Sequence, residues 1–209
     1  MEYAYSKDKI KYVGKRLTVL DKLVIDFLSY VNSDYVIVSG YIAILFGMDR
    51  HTEDIDIFIK PMNLKDFSSL FNKITHSKKY YCINAEGARD AYEILNEKSS
   101  IRFAENDTFD PNFEIKFPQN ELNWYALNNS VVVDMGKSRI RISPIELQIT
   151  YKLYLGSDKD YEDAAHLYAI FRENINNKEL KNFIKKVGIK TGVVKRVLGN
   201  EIGKRAVCL

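Results

Sequence analysis

Two aspartates one residue apart, Asp54 and Asp56, lie in the stretch VIVSGYIAILFGMDRHTEDIDIFIK that runs from Val36 to Lys60. Their alternation with Ile55, Ile57 and Ile59 has the period of a β-strand, which puts both carboxylates on one face and the isoleucines on the other. Like charges this close repel and raise each other's proton affinity, an arrangement that a cation between them relieves. Mg²⁺ suits the pair, because a hard ion takes one or two carboxylates and completes its shell with water and phosphate oxygens. A solvated strand face accounts for the same two residues without any ion.

The elements around the pair give phosphate a place as well. Tyr35–Val38 reads as a short buried strand, Ser39-Gly40 as its exit, and Tyr41–Phe46 as the first turns of a helix. Backbone N–H groups at such a turn, with the positive end of the helix dipole, form an anion site that Gly40 opens to close approach. An ordinary turn with Ser39 as N-cap is the alternative. Downstream, Asn112–Phe117 alternates so that Glu114 and Lys116 share one face and Phe113, Ile115 and Phe117 the other. Glu114 there could equally make an ion pair with a neighbouring lysine.

Ser143-Pro144-Ile145-Glu146 carries helix-start signals, with Ser143 as N-cap, Pro144 at the first helical position and Glu146 three after the cap. Ile145, Ile149 and Leu153 form the apolar stripe of that helix, and Lys152 lies one step away, where its ammonium can snorkel to water. Gly156–Asp163 ends one helix and starts another, capped by Ser157 or Asp158, with acidic residues favouring the new N-terminus. Elsewhere the spacing predicts helices at Leu20–Val31, Leu64–Ile74 and Ala88–Asn96. It predicts strands at Tyr80–Asn84, Ile101–Ala104, Phe113–Phe117, Val131–Met135 and Arg139–Ile142, then a helical remainder. Gly136-Lys137-Ser138 mimics the end of a P-loop, but Val131 stands where its first glycine belongs, so a hairpin turn is expected. His51, His76 and His166 share no ligand spacing.

Ser39-Gly40, Gly47, Arg50-x-Thr52 and Asp54-x-Asp56, in this order, resemble the minimal nucleotidyltransferases of the DNA polymerase β-like superfamily, and in particular the AbiEii-like branch of type IV toxin–antitoxin pairs. Ser143-Pro144-x-Glu146-Leu147, Lys152-Leu153 and Lys159-Asp160-x-x-Asp163 are similar to that branch's helical second half, so the likeness spans Tyr35 to Leu167. Two departures are visible. The family usually has Gly-Gly or Gly-Ser where this chain has Ser39-Gly40, and polymerase-like members have a shorter gap before the Asp-x-Asp. The resemblance implies an α+β nucleotidyltransferase fold, a mixed β-sheet flanked by helices, over residues 1–142, followed by a C-terminal helical region over 143–209. It also implies transfer of a nucleoside monophosphate from an NTP such as ATP to a hydroxyl acceptor, with two Mg²⁺ ions.

Carried over residue by residue, Asp54 and Asp56 hold metal with a third carboxylate, Glu114, for which Asp134 on the next strand competes. Ser39, Gly40, Arg50 and Thr52 contact or brace the nucleotide, Lys152 reaches its phosphates, and Asp160 is needed for activity with Asp163 in support. The implied partners are a tRNA end, a protein or a small molecule as acceptor, and an antitoxin.

The remaining features narrow the function without choosing an acceptor. With 209 residues, 46% of them hydrophobic, the chain can bury one good core, and a net charge of +3 does not by itself imply nucleic acid. The charge is uneven: from Lys178 on, Lys178, Lys181, Lys185, Lys186, Lys190, Lys195, Arg196, Lys204 and Arg205 face only Glu179 and Glu201. That segment could dock an RNA backbone or be a solvated face. Cys82 and Cys208 make neither a disulfide framework nor a zinc motif, no apolar run is long enough for a membrane span, and the N-terminus lacks a signal-peptide core; a cytoplasmic protein is expected. Two further readings stay open, a nucleotidyltransferase-fold regulatory protein without turnover and an RNA-binding module.

Overall fold

The computed structural model describes residues 2–6, 8–13 and 16–199. In chain order the elements are β1 (Glu2–Ser6), β2 (Lys9–Val13), α1 (Val19–Leu28), β3 (Tyr35–Val38), α2 (Gly40–Leu45), β4 (Asp54–Ile59) and α3 (Leu64–Thr75). There follow β5 (Tyr80–Cys82), α4 (Ala88–Asn96), β6 (Ile101–Glu105), β7 (Asn112–Lys116), α5 (Glu121–Asn128), β8 (Val131–Asp134) and β9 (Arg139–Ile142). The last four are α6 (Ile145–Leu155), α7 (Asp158–Phe171), α8 (Asn177–Lys186) and α9 (Thr191–Leu198). The chain divides into two units, residues up to Ile42 with Arg50–Ser143, and Ala43–Asp49 with Pro144 onward.

The first unit is built on one mixed sheet with strand order β1-β2-β8-β9-β3-β4-β7-β6-β5 among the described residues. Period-two alternation decides which side of it is covered. Ile55, Ile57 and Ile59 on β4 and Phe113 and Ile115 on β7 are buried. Phe27 of α1 stacks on Phe113 with ring centroids 3.8 Å apart and planes 3° from parallel, and Phe71 of α3 meets Phe103 of β6 at 5.6 Å. Each such buried ring contributes roughly 1.5–3 kcal/mol. The opposite face of β4, β7 and β6 carries the charged residues.

The β1–β2 hairpin and α5 are elements that the spacing did not predict. β2 pairs parallel to β8, Lys11 opposite Asp134, so the hairpin extends the sheet through a partner far away in sequence. The expected hairpin at Gly136 is present, with β8 and β9 antiparallel and Gly136 at φ 87°.

In the second unit, α6 begins differently from its expected start. Ser143 is not the N-cap: its N–H donates to the Ile37 carbonyl at 2.8 Å, which keeps it in the sheet, and Pro144 takes the cap position. Glu146 does not reach back to complete a capping box; one carboxylate oxygen accepts from the Asn176 N–H at 2.6 Å. Ser157 does cap α7, accepting from the Asp160 N–H.

Candidate active site

β4 and β7 run parallel, with Asp54 opposite Asn112 and Asp56 opposite Glu114; β6 lies antiparallel on the far side of β7, with Arg102 opposite Glu114. Residues facing each other across neighbouring strands project to the same side. The three strands therefore gather Asp54, Asp56, Glu114, Lys116 and Arg102 on the face away from Phe113 and Ile115. Glu114 thus stands on the strand that pairs with the Asp-x-Asp strand. Asp134 stands on β8, separated from β4 by β9 and β3, and is held by Lys9 at 2.9 Å and Arg139 at 3.3 Å. The hydrogen bond from Lys9, with one from the Gly136 N–H, draws the Asp134 carboxyl down to about 2.

The centre of the face is a network of ion pairs. Lys116 Nζ lies 2.7 Å from Asp56 Oδ1 and 2.7 Å from Glu114 Oε2, and Arg102 Nε and Nη2 both lie 2.7 Å from Glu114 Oε1. Burial works against the Glu114 charge, but Lys116 and Arg102 outweigh it and hold the carboxyl below its ordinary value. Burial likewise works against the Lys116 ammonium, and Asp56 with Glu114 outweighs it, so its pKa is raised. The lysine expected beside Glu114 is Lys116 of its own strand and not one across the sheet; the sequence carries no signal for Arg102, which only the strand register brings in.

Hard oxygen donors have the chemistry Mg²⁺ requires, and the cation on which those of Asp56 and Glu114 meet here is the Lys116 ammonium. The convergence is of two carboxylates. Asp54 lies exposed two residues earlier on the same face, and no group of three His, Cys, Asp or Glu side chains among the described residues is placed to hold a metal ion.

Beside β4, the chain leaves β3 through Ser39, whose φ of 67° is left-handed. A non-glycine residue adopts this conformation at a cost of roughly 1–2 kcal/mol, which gives a physical reason for glycine at this position in the resembled family. At Gly40 a Cβ would lie 2.9 Å from Arg50 Nη2, the movable end of a long side chain, and 3.4 Å from Thr52 Oγ1, so a side chain there would push the Arg50 head aside. Arg50 donates from Nη1 to the His51 carbonyl at 3.0 Å and from Nη2 to the Gly40 carbonyl at 3.4 Å, and buried Thr52 donates to the Asp54 carbonyl at 2.9 Å. Arg50 therefore ties the loop before β4 to the turn after β3, and Thr52 fixes the start of β4.

Lys152 and Asp160 are together in the second unit. Lys152 does not snorkel to water: it is 2% exposed, and its ammonium lies 2.8 Å from Asp160 Oδ1 and 2.9 Å from Asp163 Oδ2. Asp160 and Asp163, three apart on α7, share one face and meet α6 there. Burial pushes the Asp160 carboxyl up, but Lys152 and the Ser157 hydroxyl outweigh it and hold it below the ordinary range. His166 contacts the Phe46 carbonyl at 3.1 Å, a structural role, and His51 is exposed.

α8 and α9 form a basic cleft of about 370 Å³ lined by Lys181, Lys185 and Lys195 over Ile184, Ile189 and Val194. Lys204 and Arg205 of the basic segment lie outside the described residues. No helix among the described residues is long and apolar enough to cross a membrane.

No protein-family model matches the chain, and no curated protein sequence does either. Among solved structures, an antigenic nucleotidyltransferase-like protein from Paracoccidioides brasiliensis is similar over 88% of this chain and 93% of its own, with a TM-score of 0.50 at 17% identity. JHP933 from Helicobacter pylori aligns over 85% of this chain and 78% of its own, with a TM-score of 0.44 at 18% identity. The likeness is one of fold: an α+β, nucleotidyltransferase-like architecture.

Proposed function

We propose that this chain is an Mg²⁺-dependent nucleotidyltransferase that moves a nucleoside monophosphate from a nucleoside triphosphate to a hydroxyl of RNA. The observation that carries the reading is the register of β4 on β7, which sets Glu114 directly opposite Asp56 on the face that also bears Asp54, within a nucleotidyltransferase-like fold. Asp56 and Glu114 would hold the metal, with Asp54 on the same face as the carboxylate that would have to turn in to join them. When bound, Mg²⁺ would neutralise phosphate charge and favour ionisation of the attacking hydroxyl. The Ser39-Gly40 turn, braced by Arg50, would set the phosphates beside the acidic face, whose first residue Thr52 fixes, so that most of the catalysis is positioning and charge compensation. Lys152, held by Asp160 and Asp163, acts in this reading as a positioning residue that ties α6 to α7.

RNA is favoured as acceptor by the lysines of the α8–α9 cleft, because exposed ammonium groups release counterions when they meet a phosphate backbone. The ordered likeness of Arg50-x-Thr52, Asp54-x-Asp56 and Lys159-Asp160-x-x-Asp163 to the AbiEii-like branch supports a place in a toxin–antitoxin pair.

The acceptor is tested by incubating the protein with α-labelled NTPs, Mg²⁺ and a mixed extract of RNA and protein. Label is expected in RNA. The triple variant Lys181→Glu, Lys185→Glu, Lys195→Glu should lower RNA labelling at low salt by about tenfold or more, with the gap closing as salt rises. Label in protein, or equal RNA labelling by the variant, would remove RNA from the proposal. Nucleotide binding without any transfer would favour a regulatory protein.

A further inference from the structure

The proposed reaction needs a divalent ion beside Asp56 and Glu114, yet these two carboxylates already hold a cation that belongs to the chain. Lys116 follows Glu114 by two residues on β7 and sits opposite Phe58, so its side chain reaches diagonally across to Asp56. Its ammonium is 2.7 Å from an oxygen of each carboxylate, and the Lys116, Asp56 and Glu114 side chains are only 28%, 16% and 9% exposed. Charge-assisted contacts this short, with water largely kept out, are strong ones. Arg102 is placed differently. It binds Oε1 of Glu114 from the β6 side, whereas Lys116 takes Oε2 and stands between the two carboxylates.

The oxygens directed at the ammonium are those that a metal between Asp56 and Glu114 would use, and one point cannot hold both cations. We propose that Lys116 is a built-in competitor for the metal. It neutralises the carboxylate pair in the metal-free protein, keeps divalent affinity low in the absence of nucleotide, and is displaced when metal arrives with a triphosphate, whose oxygens offer the released ammonium a new anionic partner. This inference rests on the reading of the β4–β7 face as a metal site and adds a binding order to it: metal and nucleotide enter together.

The test is Mn²⁺ binding to the full chain without nucleotide, followed by electron paramagnetic resonance of the free ion. The wild type should bind weakly and Lys116→Met about tenfold more tightly, since Met keeps the aliphatic stem and removes the competing charge. Arg102→Met, which removes a charge from the same face but not from between the carboxylates, should tighten binding far less. Mn²⁺ should also raise the melting temperature of Lys116→Met more than that of the wild type; if the variant folds only with metal, recovery of its circular dichroism signal on adding Mn²⁺ gives the same support.

Equal affinity in Lys116→Met and wild type, equal tightening in both variants, or an unfolded Lys116→Met that Mn²⁺ does not rescue would overturn the proposal. Tighter Mn²⁺ binding by Lys116→Met beside a wild type that transfers no nucleotide would uphold the competition and defeat the transferase reading. Intact transfer with unchanged Mn²⁺ affinity would do the reverse.

Discussion

Asp56→Asn should lower the rate of nucleotidyl transfer by about 10³-fold or more, measured as label incorporated per minute at saturating NTP and Mg²⁺. The substitution keeps the shape of the side chain and removes the charge that pairs with the Lys116 ammonium and that a bound metal would need. Repulsion between Asp54 and Asp56, read from their spacing alone, implies that asparagines at both positions would make the metal-free protein steadier. The structure reverses that sign for Asp56. Its carboxylate lies 2.7 Å from Lys116, so neutralising it removes an attraction. A loss of roughly 1–2 kcal/mol is expected in urea unfolding without metal, and circular dichroism at the assay temperature shows whether the variant is folded when its rate is read. Full activity in Asp56→Asn, or a rise in its metal-free stability, would count against the arrangement described for this face.

The second large effect belongs to the other unit. Lys152→Met removes the ammonium that Asp160 and Asp163 share, both of them nearly inaccessible to water. Removing one partner from a buried ion cluster typically costs about 3–5 kcal/mol, so the denaturation midpoint should drop sharply. Adding Asp163→Asn to Lys152→Met should recover part of the loss, because it removes one of the two carboxylates that lost the ammonium. Such recovery identifies electrostatics as the cause, where a packing defect would show none. Below the lowered midpoint, a transfer rate close to wild type is expected if Lys152 only positions α6 and α7. A rate that collapses while the protein remains folded would instead place Lys152 at the phosphates.

Parts of this structure were legible because local chemistry determines them. Tyr35–Val38, Ala88–Asn96 and Arg139–Ile142 have the boundaries that their alternation or helical spacing indicates, and the two faces of β4 follow directly from Asp-Ile-Asp-Ile. The β1–β2 hairpin was harder to see. Ile10 and Tyr12 alternate as a strand should, but what stabilises them is pairing with β8, more than a hundred residues later in the sequence. α5 has an Asn120 cap and few buried side chains, which leaves only a weak periodic signal.

The site shows the same division. Spacing placed Glu114 and Lys116 on a common face, but the parallel register that brings Lys116 to Asp56 is a long-range property that neither strand encodes by itself. Lys152 carried a local clue that went unused: aspartates at 160 and 163 lie three apart, so they present a double negative charge from one side of α7. A lysine at the edge of an apolar stripe can then be buried and paired instead of extending to solvent.

Transfer of a nucleoside monophosphate at the β4–β7 face, as proposed, sends the α- and γ-phosphates of the NTP to different products. Wild-type protein would be given Mg²⁺, RNA and one NTP labelled in parallel reactions at its α- or its γ-phosphate. Expected are α-label in the acceptor with an equal amount of pyrophosphate released, γ-label only in the pyrophosphate, and neither with Asp56→Asn. Transfer of the γ-label to the acceptor, or α-label incorporated equally well by Asp56→Asn, would contradict the proposed transfer.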